Sequence, residues 1–268
     1  MKTKFELINS LKNEIDILLP ATEWSAEFTD QIKIDFTFQS NKIENNSISY
    51  GQTISFLKDA TTPKGVSIKD CVDIQNHFDI LDAIFKIYRE EISEAFILNL
   101  HSNLMKDEIQ WADKDSYSPG KYKWATNYTI REGEKIHWYM EYTKVPEAIL
   151  DLLNKINLQL KTSDITDIQK HPLTIATFFH NRFLGEIHPF ADGNGRVCRI
   201  IMNDILIKKG FSPIFIKDTD KINYFKFFET SSSTDLDAML TFFADQLIDS
   251  LKSKKMFVLK FLAQKKLD

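Results

Sequence analysis

Apolar residues recur at helical spacing over most of the chain. Within residues 68–90, Ile80, Ile84 and Ile87 fall at positions i, i+4 and i+7, so they share one face of a helix. The same pattern predicts ten helices, near residues 2–18, 24–44, 52–60, 68–90, 92–107, 145–160, 172–187, 194–209, 221–231 and 235–264. We therefore expect an all-α fold.

One stretch departs from this pattern. Between residues 116 and 142, turn residues surround a β-rich run at 122–130, and a second turn follows at Arg131-Glu132-Gly133-Glu134. Two short runs joined by a turn that contains glycine are typical of a β-hairpin. A hairpin in a helical protein needs packing support and exposes a strand edge. On pattern alone, a plain connector is an equal alternative.

Composition sets the broad class of protein. The chain has 268 residues, of which 43% are hydrophobic and 21 are phenylalanine, enough for a large core in one domain or in a domain with an extension. No apolar run approaches the ~20 residues that a membrane helix needs, and the first residues lack the apolar stretch of a secretory signal. The net charge of −4 argues against a dedicated nucleic-acid binder, and two cysteines are too few for a disulfide framework. We therefore expect a cytoplasmic protein without a membrane partner.

Arginine and glycine are both scarce, and both concentrate in one place. Only five of the 34 basic residues are arginine, and two of them, Arg196 and Arg199, lie one helical turn apart. Three of the eight glycines, Gly185, Gly193 and Gly195, fall within eleven residues of one another. Arginine is the side chain that binds phosphate through two parallel hydrogen bonds, so this segment is the first candidate for chemistry.

A twelve-residue segment contains the candidate catalytic residues. It reads His188-Pro189-Phe190-Ala191-Asp192-Gly193-Asn194-Gly195-Arg196-Val197-Cys198-Arg199. The preceding helix is expected to stop at His188, because a residue before proline is pushed out of helical geometry. His188 then lies on a loop between two helices, where an imidazole can act as a general base near neutral pH.

The second half of the segment is suited to binding anions. Gly193-Asn194-Gly195 leads into a helix N-terminus, whose N–H groups and dipole attract phosphate. Arg196 and Arg199 would neutralise a polyphosphate, and the single carboxylate of Asp192 suits Mg²⁺, which takes one or two carboxylates together with phosphate oxygens. These are the parts of phosphoryl or nucleotidyl transfer. The alternative is a structural loop in which Asp192 caps the helix. An isolated histidine or an isolated Gly-x-Gly would favour that interpretation, but here all of these residues fall within twelve positions.

The twelve residues resemble the signature of the Fic family, His-Pro-Phe-x-Asp/Glu-Gly-Asn-Gly-Arg-x-x-Arg, and every fixed position is filled. The resemblance implies an all-helical core at 91–250 with a short β-hairpin flap over the active site. It implies an N-terminal helical extension at 1–90 and the end of the C-terminal helix at 251–268. It also implies transfer of AMP from ATP to a hydroxyl side chain of a target protein, with Mg²⁺.

The resemblance assigns roles to individual residues. His188 is implied to be the base, Asp192 the Mg²⁺ ligand and Phe190 the anchor of the loop. The residues implied to contact the nucleotide are Gly193, Asn194, Gly195, Arg196, Arg199 and, by a weaker correspondence, Tyr224. The flap residues implied to pair with the target main chain by strand addition are Lys123, Trp124, Ala125, Thr126, Asn127 and Tyr128.

A second resemblance lies upstream. Ser40-Asn41-Lys42-Ile43-Glu44-Asn45 fits the pattern Ser/Thr-x-x-x-Glu-Gly/Asn, the inhibitory motif of many Fic proteins. It implies that Glu44, at the end of an N-terminal helix, pairs with Arg199 and occupies the place of the ATP γ-phosphate. The motif is short, and a polar helix end is the alternative interpretation.

Several functions stay open at this stage. Relatives that transfer phosphate have lysine where this chain has Gly195, whereas phosphocholine transfer or removal of AMP from targets would use the same loop. A non-catalytic ATP-binding adaptor is a further alternative, against which the intact His188 and Asp192 argue. The target protein is open, and so is the assembly, with a homodimer among the candidates.

Overall fold

Helices form nearly all of the regular structure, which confirms the all-α prediction with one small hairpin. The computed structural model describes residues 1–20, 26–86, 91–107, 118–131, 134–229 and 235–264. The α-helices within them are α1 (Lys2–Leu18), α2 (Ala26–Ile43), α3 (Tyr50–Asp59), α4 (Ile68–Lys86), α5 (Glu94–Met105), α6 (Val145–Lys161), α7 (Pro172–His180), α8 (Asn194–Lys208), α9 (Lys221–Glu229) and α10 (Leu236–Gln264). Short 3₁₀ turns at Tyr142–Lys144 and Asp218–Asp220 precede α6 and α9.

Local sequence explains where helices begin and which face they bury. Ser49 caps α3 in a capping box: its hydroxyl accepts the Gln52 N–H, and the Gln52 side chain accepts the Ser49 N–H. Pro146 lies in the first turn of α6, where its missing N–H costs nothing. The buried face of α6 consists of apolar residues at helical spacing: Val145, Ile149, Leu152, Leu153, Ile156 and Leu160.

The helix expected at 172–187 changes its winding halfway. After α7, residues Asn181–Ile187 form a π-helix, in which hydrogen bonds reach five residues back. The last of them runs from the His188 N–H to the Phe183 carbonyl at 2.8 Å. His188 then has a positive φ of 49°, so the helix ends there, as the following Pro189 predicts.

α8 is the central helix of the core. All its residues from Asn194 to Leu206 except Gly195 are buried. Polar side chains inside a core need partners. Asn203 finds them on Ile214, donating to its carbonyl at 3.0 Å and accepting its N–H at 2.7 Å.

The first and last helices lie side by side. α1 packs along α10, and the ion pairs Lys4–Asp245 and Lys255–Glu14 join their surfaces. The N-terminal segment is therefore attached to the C-terminal helix, and the division of the chain near residue 90 stays a prediction. Among the described residues, no helix combines the length and the apolar character that crossing a membrane requires.

The hairpin is shorter than the sequence indicated. β1 (Tyr128–Arg131) pairs antiparallel with β2 (Lys135–Trp138), with Tyr128 opposite Trp138 and Ile130 opposite Ile136. The β-rich run was expected from residue 122, but 122–127 is not a strand. Its backbone bonds elsewhere: the Lys123 N–H donates to the Pro189 carbonyl at 2.9 Å instead of to a second strand.

Candidate active site

His188 lies at the end of the π-helix and lines a cavity. Its Nδ1 is 2.9 Å from the carbonyl oxygen of Leu184. Because a carbonyl only accepts hydrogen bonds, Nδ1 carries the proton and Nε2 keeps its lone pair. One face of the imidazole stacks on the ring of Tyr139, with the centroids 3.9 Å apart and the planes 17° from parallel. The histidine is thus held in the tautomer that a general base requires.

The surroundings of His188 keep it uncharged. Burial lowers its pKa to about 4, because it penalises the imidazolium form. The Leu184 carbonyl opposes this shift, and the positive charge of Lys123 adds to it. His188 is therefore neutral at pH 7 and able to accept a proton.

Phe190 and Asn194 shape the loop that follows. Phe190 is fully buried, and its ring lies parallel to that of His101 with the centroids 3.8 Å apart. The Asn194 side chain accepts the Phe190 N–H and donates to the Phe190 carbonyl, both at 2.8 Å. Since its amide is committed to the loop backbone, Asn194 offers a ligand its backbone N–H.

The start of α8 is the anion-binding part of the site. The Val197 N–H bonds to the Gly193 carbonyl at 3.0 Å, so the N–H groups of Asn194 and Gly195 precede the first helical bond. Gly193 has a positive φ of 76°, and a Cβ there would lie 2.8 Å from Sδ of Met105. The turn therefore requires glycine, and the α8 dipole attracts an anion to it.

Asp192 exposes a carboxylate at the cavity. Its Oδ1 accepts the Gly193 N–H at 2.6 Å, and its backbone carbonyl accepts Nε2–H of His101 at 3.1 Å. Nδ1 of His101 accepts the Gly120 N–H at 2.8 Å, which fixes the His101 tautomer. No group of three or more ligating side chains exists among the residues that the structure describes. One exposed carboxylate fits Mg²⁺ when phosphate oxygens and water complete its ligands.

Glu44, in the turn directly after α2, lines the same cavity. Oε1 of Glu44 lies 2.7 Å from Nη2 of Arg199. Ser40 supplies two further acceptors to Arg199, its hydroxyl for Nε at 3.1 Å and its carbonyl for Nη2 at 2.8 Å. The Arg199 side chain is 3% exposed and that of Glu44 is 39% exposed, so the carboxylate lies at the cavity wall.

The Glu44 carboxylate also lies over the start of α8. A Cβ on Gly195 would be 2.5 Å from Oε1 of Glu44 and 3.0 Å from Nη1 of Arg199. The missing side chain at 195 is therefore what gives the carboxylate room. Glu44 occupies space in which an anion bound at the helix N-terminus would lie.

These groups share one cavity of about 310 Å³. Its lining consists of Glu44, Thr129, Ile130, Tyr139, Leu184, His188, Ala191, Asp192, Asn194, Gly195, Arg199, Phe225 and Phe228. Sequence reasoning missed Tyr139 and the two phenylalanines. The i, i+3 spacing of Phe225 and Phe228 on α9 could have indicated a shared face, whereas nothing local marks Tyr139. A larger apolar cavity of about 490 Å³ between α4 and α5 contains none of these groups.

One family model matches the part of the chain that contains the site. Residues 91–206 match the model of the Fic/DOC family, a stretch that includes His188, Asp192 and Arg199. Over this stretch the chain is similar to the Fic/DOC family.

Curated relatives resemble the chain over most of its length. Protein adenylyltransferase Fic of Nematostella vectensis is 22% identical over 245 residues, covering 89% of this chain and 53% of that protein. The protein of the same name from Drosophila erecta is 27% identical over 217 residues, covering 78% of this chain and 39% of that protein. The chain therefore spans about half the length, or less, of these relatives.

Solved Fic structures share the fold. A Fic domain-containing signaling protein from Bacteroides thetaiotaomicron matches with a TM-score of 0.77 at 24% identity, over 94% of this chain and 95% of that one. Fic-1 from C. elegans matches with a TM-score of 0.73 at 20% identity, over 94% of this chain and 70% of that one. At these identities the likeness establishes the fold.

Within the segment 188–199, the Arg196 side chain is turned away from the cavity. Its Nη1 donates to Oδ1 of Asp73 on α4 at 2.8 Å, and its Nη2 lies 3.3 Å from Sδ of Met105. Arg196 and Asp73 are each 6% exposed. Its guanidinium is engaged in a buried ion pair that ties α8 to α4, and the phosphate contact expected of Arg196 stays a prediction.

Tyr224, for which the resemblance implies a nucleotide contact, lies inside the core. It is fully buried and its hydroxyl lies 3.0 Å from Nε2 of His180. The hydroxyl also lies close to the Arg199 guanidinium. Its neighbours Phe225 and Phe228 line the cavity, and the nucleotide contact expected of Tyr224 stays a prediction.

The flap residues divide into buried and exposed groups. Lys123 is 5% exposed, so its ammonium faces the catalytic loop and not a target. Asn127 is half-buried and donates to the Phe190 carbonyl at 3.1 Å. Trp124 and Tyr128 are 58% and 53% exposed. The other two expected residues differ in exposure: Ala125 is exposed and Thr126 half-buried.

Proposed function

We propose that the chain is a protein adenylyltransferase, which transfers AMP from ATP to a hydroxyl side chain of a target protein. One observation carries the proposal: His188, with its free Nε2, and the N-terminus of α8 line the same cavity. A neutral base beside an anion-binding helix end suits attack of a hydroxyl on a phosphate. The names of the curated relatives support the same activity.

His188 is the base of this reaction. Its Nε2 takes the proton of the target hydroxyl while the hydroxyl oxygen attacks the α-phosphorus of ATP. A P–O bond to the target forms, the bond from the α-phosphorus to the bridging β-oxygen breaks, and pyrophosphate leaves with the electron pair. The Leu184 carbonyl, which accepts Nδ1–H, stabilises the imidazolium that results.

The phosphates are bound by the start of α8 and by Arg199. The N–H groups of Asn194 and Gly195 donate to phosphate oxygens, and the guanidinium of Arg199 binds the γ-phosphate. Asp192 would hold Mg²⁺ together with the nucleotide, and the ion would offset phosphate charge.

Restraint by Glu44 is part of the proposal. Its carboxylate and a γ-phosphate are both anions, and they compete for Arg199 and for the space over Gly195. With Glu44 in place, ATP binds with its γ-phosphate displaced and its α-phosphate out of line with the attacking hydroxyl. A misplacement of about 1 Å at the reacting centre can cost ~10²-fold in rate.

The exposed hairpin is the proposed binding surface for the target. Tyr128 and Trp138 lie opposite each other, as do Ile130 and Ile136, so all four side chains share one face. Each is 53–66% exposed, and Ile130 also lines the catalytic cavity. An apolar face that continues into the cavity suits an extended target segment that carries the acceptor hydroxyl.

The test uses ATP labelled on the α-phosphate, with and without cell lysate. We expect labelled protein with the Glu44→Gly chain, little with wild type, and none with Glu44→Gly combined with His188→Ala. Mass spectrometry then identifies AMP on a hydroxyl side chain. Label on the γ-phosphate that appears on protein, or α-label that is independent of His188, would contradict adenylyl transfer.

Removal of AMP from a target is a second candidate. Glu44 lines the same cavity as His188 and is 39% exposed, so its carboxylate is placed to hold a water molecule near the base. The two functions predict opposite effects of Glu44→Gly: faster addition in one case, loss of removal in the other. Pre-labelled protein from the first assay, incubated with wild type, separates them.

A further inference from the structure

Three residues that flank the hairpin contact the catalytic loop, which we define as residues 188–193, and the residue before it. We call Lys123, Asn127 and Tyr139 the flap-root clasp. The segment around Lys123 precedes the hairpin, and Tyr139 follows it, so both ends of the flap meet the loop. They contact Ile187, His188, Pro189 and Phe190. These four residues are the proposed base, His188, and its neighbours in the chain.

Lys123 makes the most contacts of the three. Its N–H donates to the Pro189 carbonyl at 2.9 Å, and its Nζ donates to the Ile187 carbonyl at 3.0 Å. Lys123 is therefore hydrogen-bonded to the backbone on both sides of His188. The ammonium is 5% exposed, and burial lowers its pKa to about 8. Burying a charge beside neutral oxygens is costly, so a plain surface lysine does not explain this placement.

Asn127 connects the other two members. Its Oδ1 accepts from Nζ of Lys123 at 2.7 Å, and its Nδ2 donates to the Phe190 carbonyl at 3.1 Å. Its backbone carbonyl accepts the Tyr139 N–H at 3.1 Å. Both ends of the flap are thus joined through one side chain and one peptide group.

Tyr139 completes the support of the base. Its ring stacks on the His188 imidazole at 3.9 Å between centroids. The Leu184 carbonyl holds Nδ1, but one hydrogen bond still permits rotation of the ring about it. Contact with one face of the imidazole removes that freedom and leaves Nε2 directed at the cavity.

We propose that Lys123 and Tyr139 are positioning residues for His188: Lys123 fixes the backbone on either side of it, and Tyr139 fixes the plane of its ring. The reaction that they serve rests on the proposed function, whereas their hold on the imidazole does not. The charged groups around His188 are Lys123 from the flap root, Glu44 from α2, Asp192 from the loop and Arg199 from α8.

The test reads the His188 ring directly. ¹⁵N-histidine NMR resolves the tautomer of each of the six histidines, and His188→Gln assigns the signal. We expect a pure Nδ1–H form in wild type, and mixed tautomers in Lys123→Met and Tyr139→Leu. Lys123→Arg and Tyr139→Phe should restore the wild-type signal. Lys121→Met and Tyr142→Leu, at exposed positions, are the matched controls.

A second readout connects the ring to the reaction. In the Glu44→Gly background, Lys123→Met and Tyr139→Leu should lower the rate of AMP transfer about 10- to 10²-fold with unchanged ATP affinity. An unchanged rate, or a pure Nδ1–H signal in both variants, would overturn the proposal. If Lys123→Met fails to fold, Tyr139→Leu decides alone. If the Glu44→Gly chain itself transfers no AMP, the proposed function fails. The NMR result still decides whether Lys123 and Tyr139 position His188.

Discussion

Replacing Glu44 with glycine should raise AMP transfer, and the geometry of its ion pair sets the size of the effect. A hydrogen bond to a charged group contributes about 1.5–3 kcal/mol. Because the Glu44 side chain is 39% exposed, solvent screening places this pair in the lower part of that range, about 1.5–2 kcal/mol. If wild type must break the pair to seat the γ-phosphate, its removal speeds transfer about 10- to 30-fold.

The substitution should leave the fold intact. Arg199 keeps two acceptors on Ser40 after Glu44 is removed, at 3.1 and 2.8 Å. Its guanidinium is therefore not left without partners in the core, which is the usual reason that breaking a buried pair unfolds a protein. A cooperative thermal transition of Glu44→Gly, only about 3–8 °C below that of wild type, checks this step.

The assay measures initial rates of α-labelled transfer at saturating ATP. Glu44→Gln serves as the matched control, since it keeps the volume and loses the charge, and it should fall between wild type and Glu44→Gly. Arg199→Ala should stay slow, alone and with Glu44→Gly, because Arg199 also seats the γ-phosphate. If Glu44→Gly is no faster than wild type, residues 40–45 are an ordinary helix end and the reasoning is refuted.

Three further predictions concern the loop, and the activity assays use the Glu44→Gly chain. Because burial lowers the pKa of His188 to about 4, the base loses activity only as pH falls through that value; a rate profile that instead halves near pH 6.5 would contradict it. Asp192→Ala should reduce turnover more than ATP affinity, and calorimetry should find Mg²⁺ binding only weakly without nucleotide. Arg196→Met should destabilise the fold by about 1.5–3 kcal/mol, because Asp73 loses one charged partner while it retains Lys69; chemical denaturation measures this, and a loss of ATP affinity without a loss of stability would speak for the phosphate contact.

The loop could be read from the sequence because its determinants are contiguous. Pro189 ends the preceding helix, Gly193 permits the turn, and α8 begins one residue later. All of these depend on backbone preferences of neighbouring residues, which a sequence displays directly. The side chains that contact this loop could not be predicted in the same way, because they come from distant parts of the chain.

Arg196 shows why the remainder was not predictable. Arg196 and Arg199 lie at i and i+3, so the sequence places them on one helix face and gives both the same role. The structure separates them, because Asp73, 123 residues away, meets one and Glu44, 155 residues away, meets the other. Which of two neighbouring arginines faces a ligand depends on where α2 and α4 pack, and periodicity within α8 contains no information on that.

Under the proposed function, Gly195 connects the restraint by Glu44 to the transfer reaction. A Cβ on Gly195 would lie 2.5 Å from Oε1 of Glu44. The Glu44 carboxylate therefore occupies the space over Gly195 that a bound phosphate would also need. A carboxylate and a phosphate oxygen are alike in charge and in hydrogen bonding, and both are attracted by the same N–H groups and the same guanidinium. Any side chain at 195 that excluded Glu44 would therefore also disturb the nucleotide. Under the proposed function, a stronger anion or a movement of α2 would therefore displace Glu44, whereas a substitution at Gly195 would remove Glu44 only by also disturbing nucleotide binding.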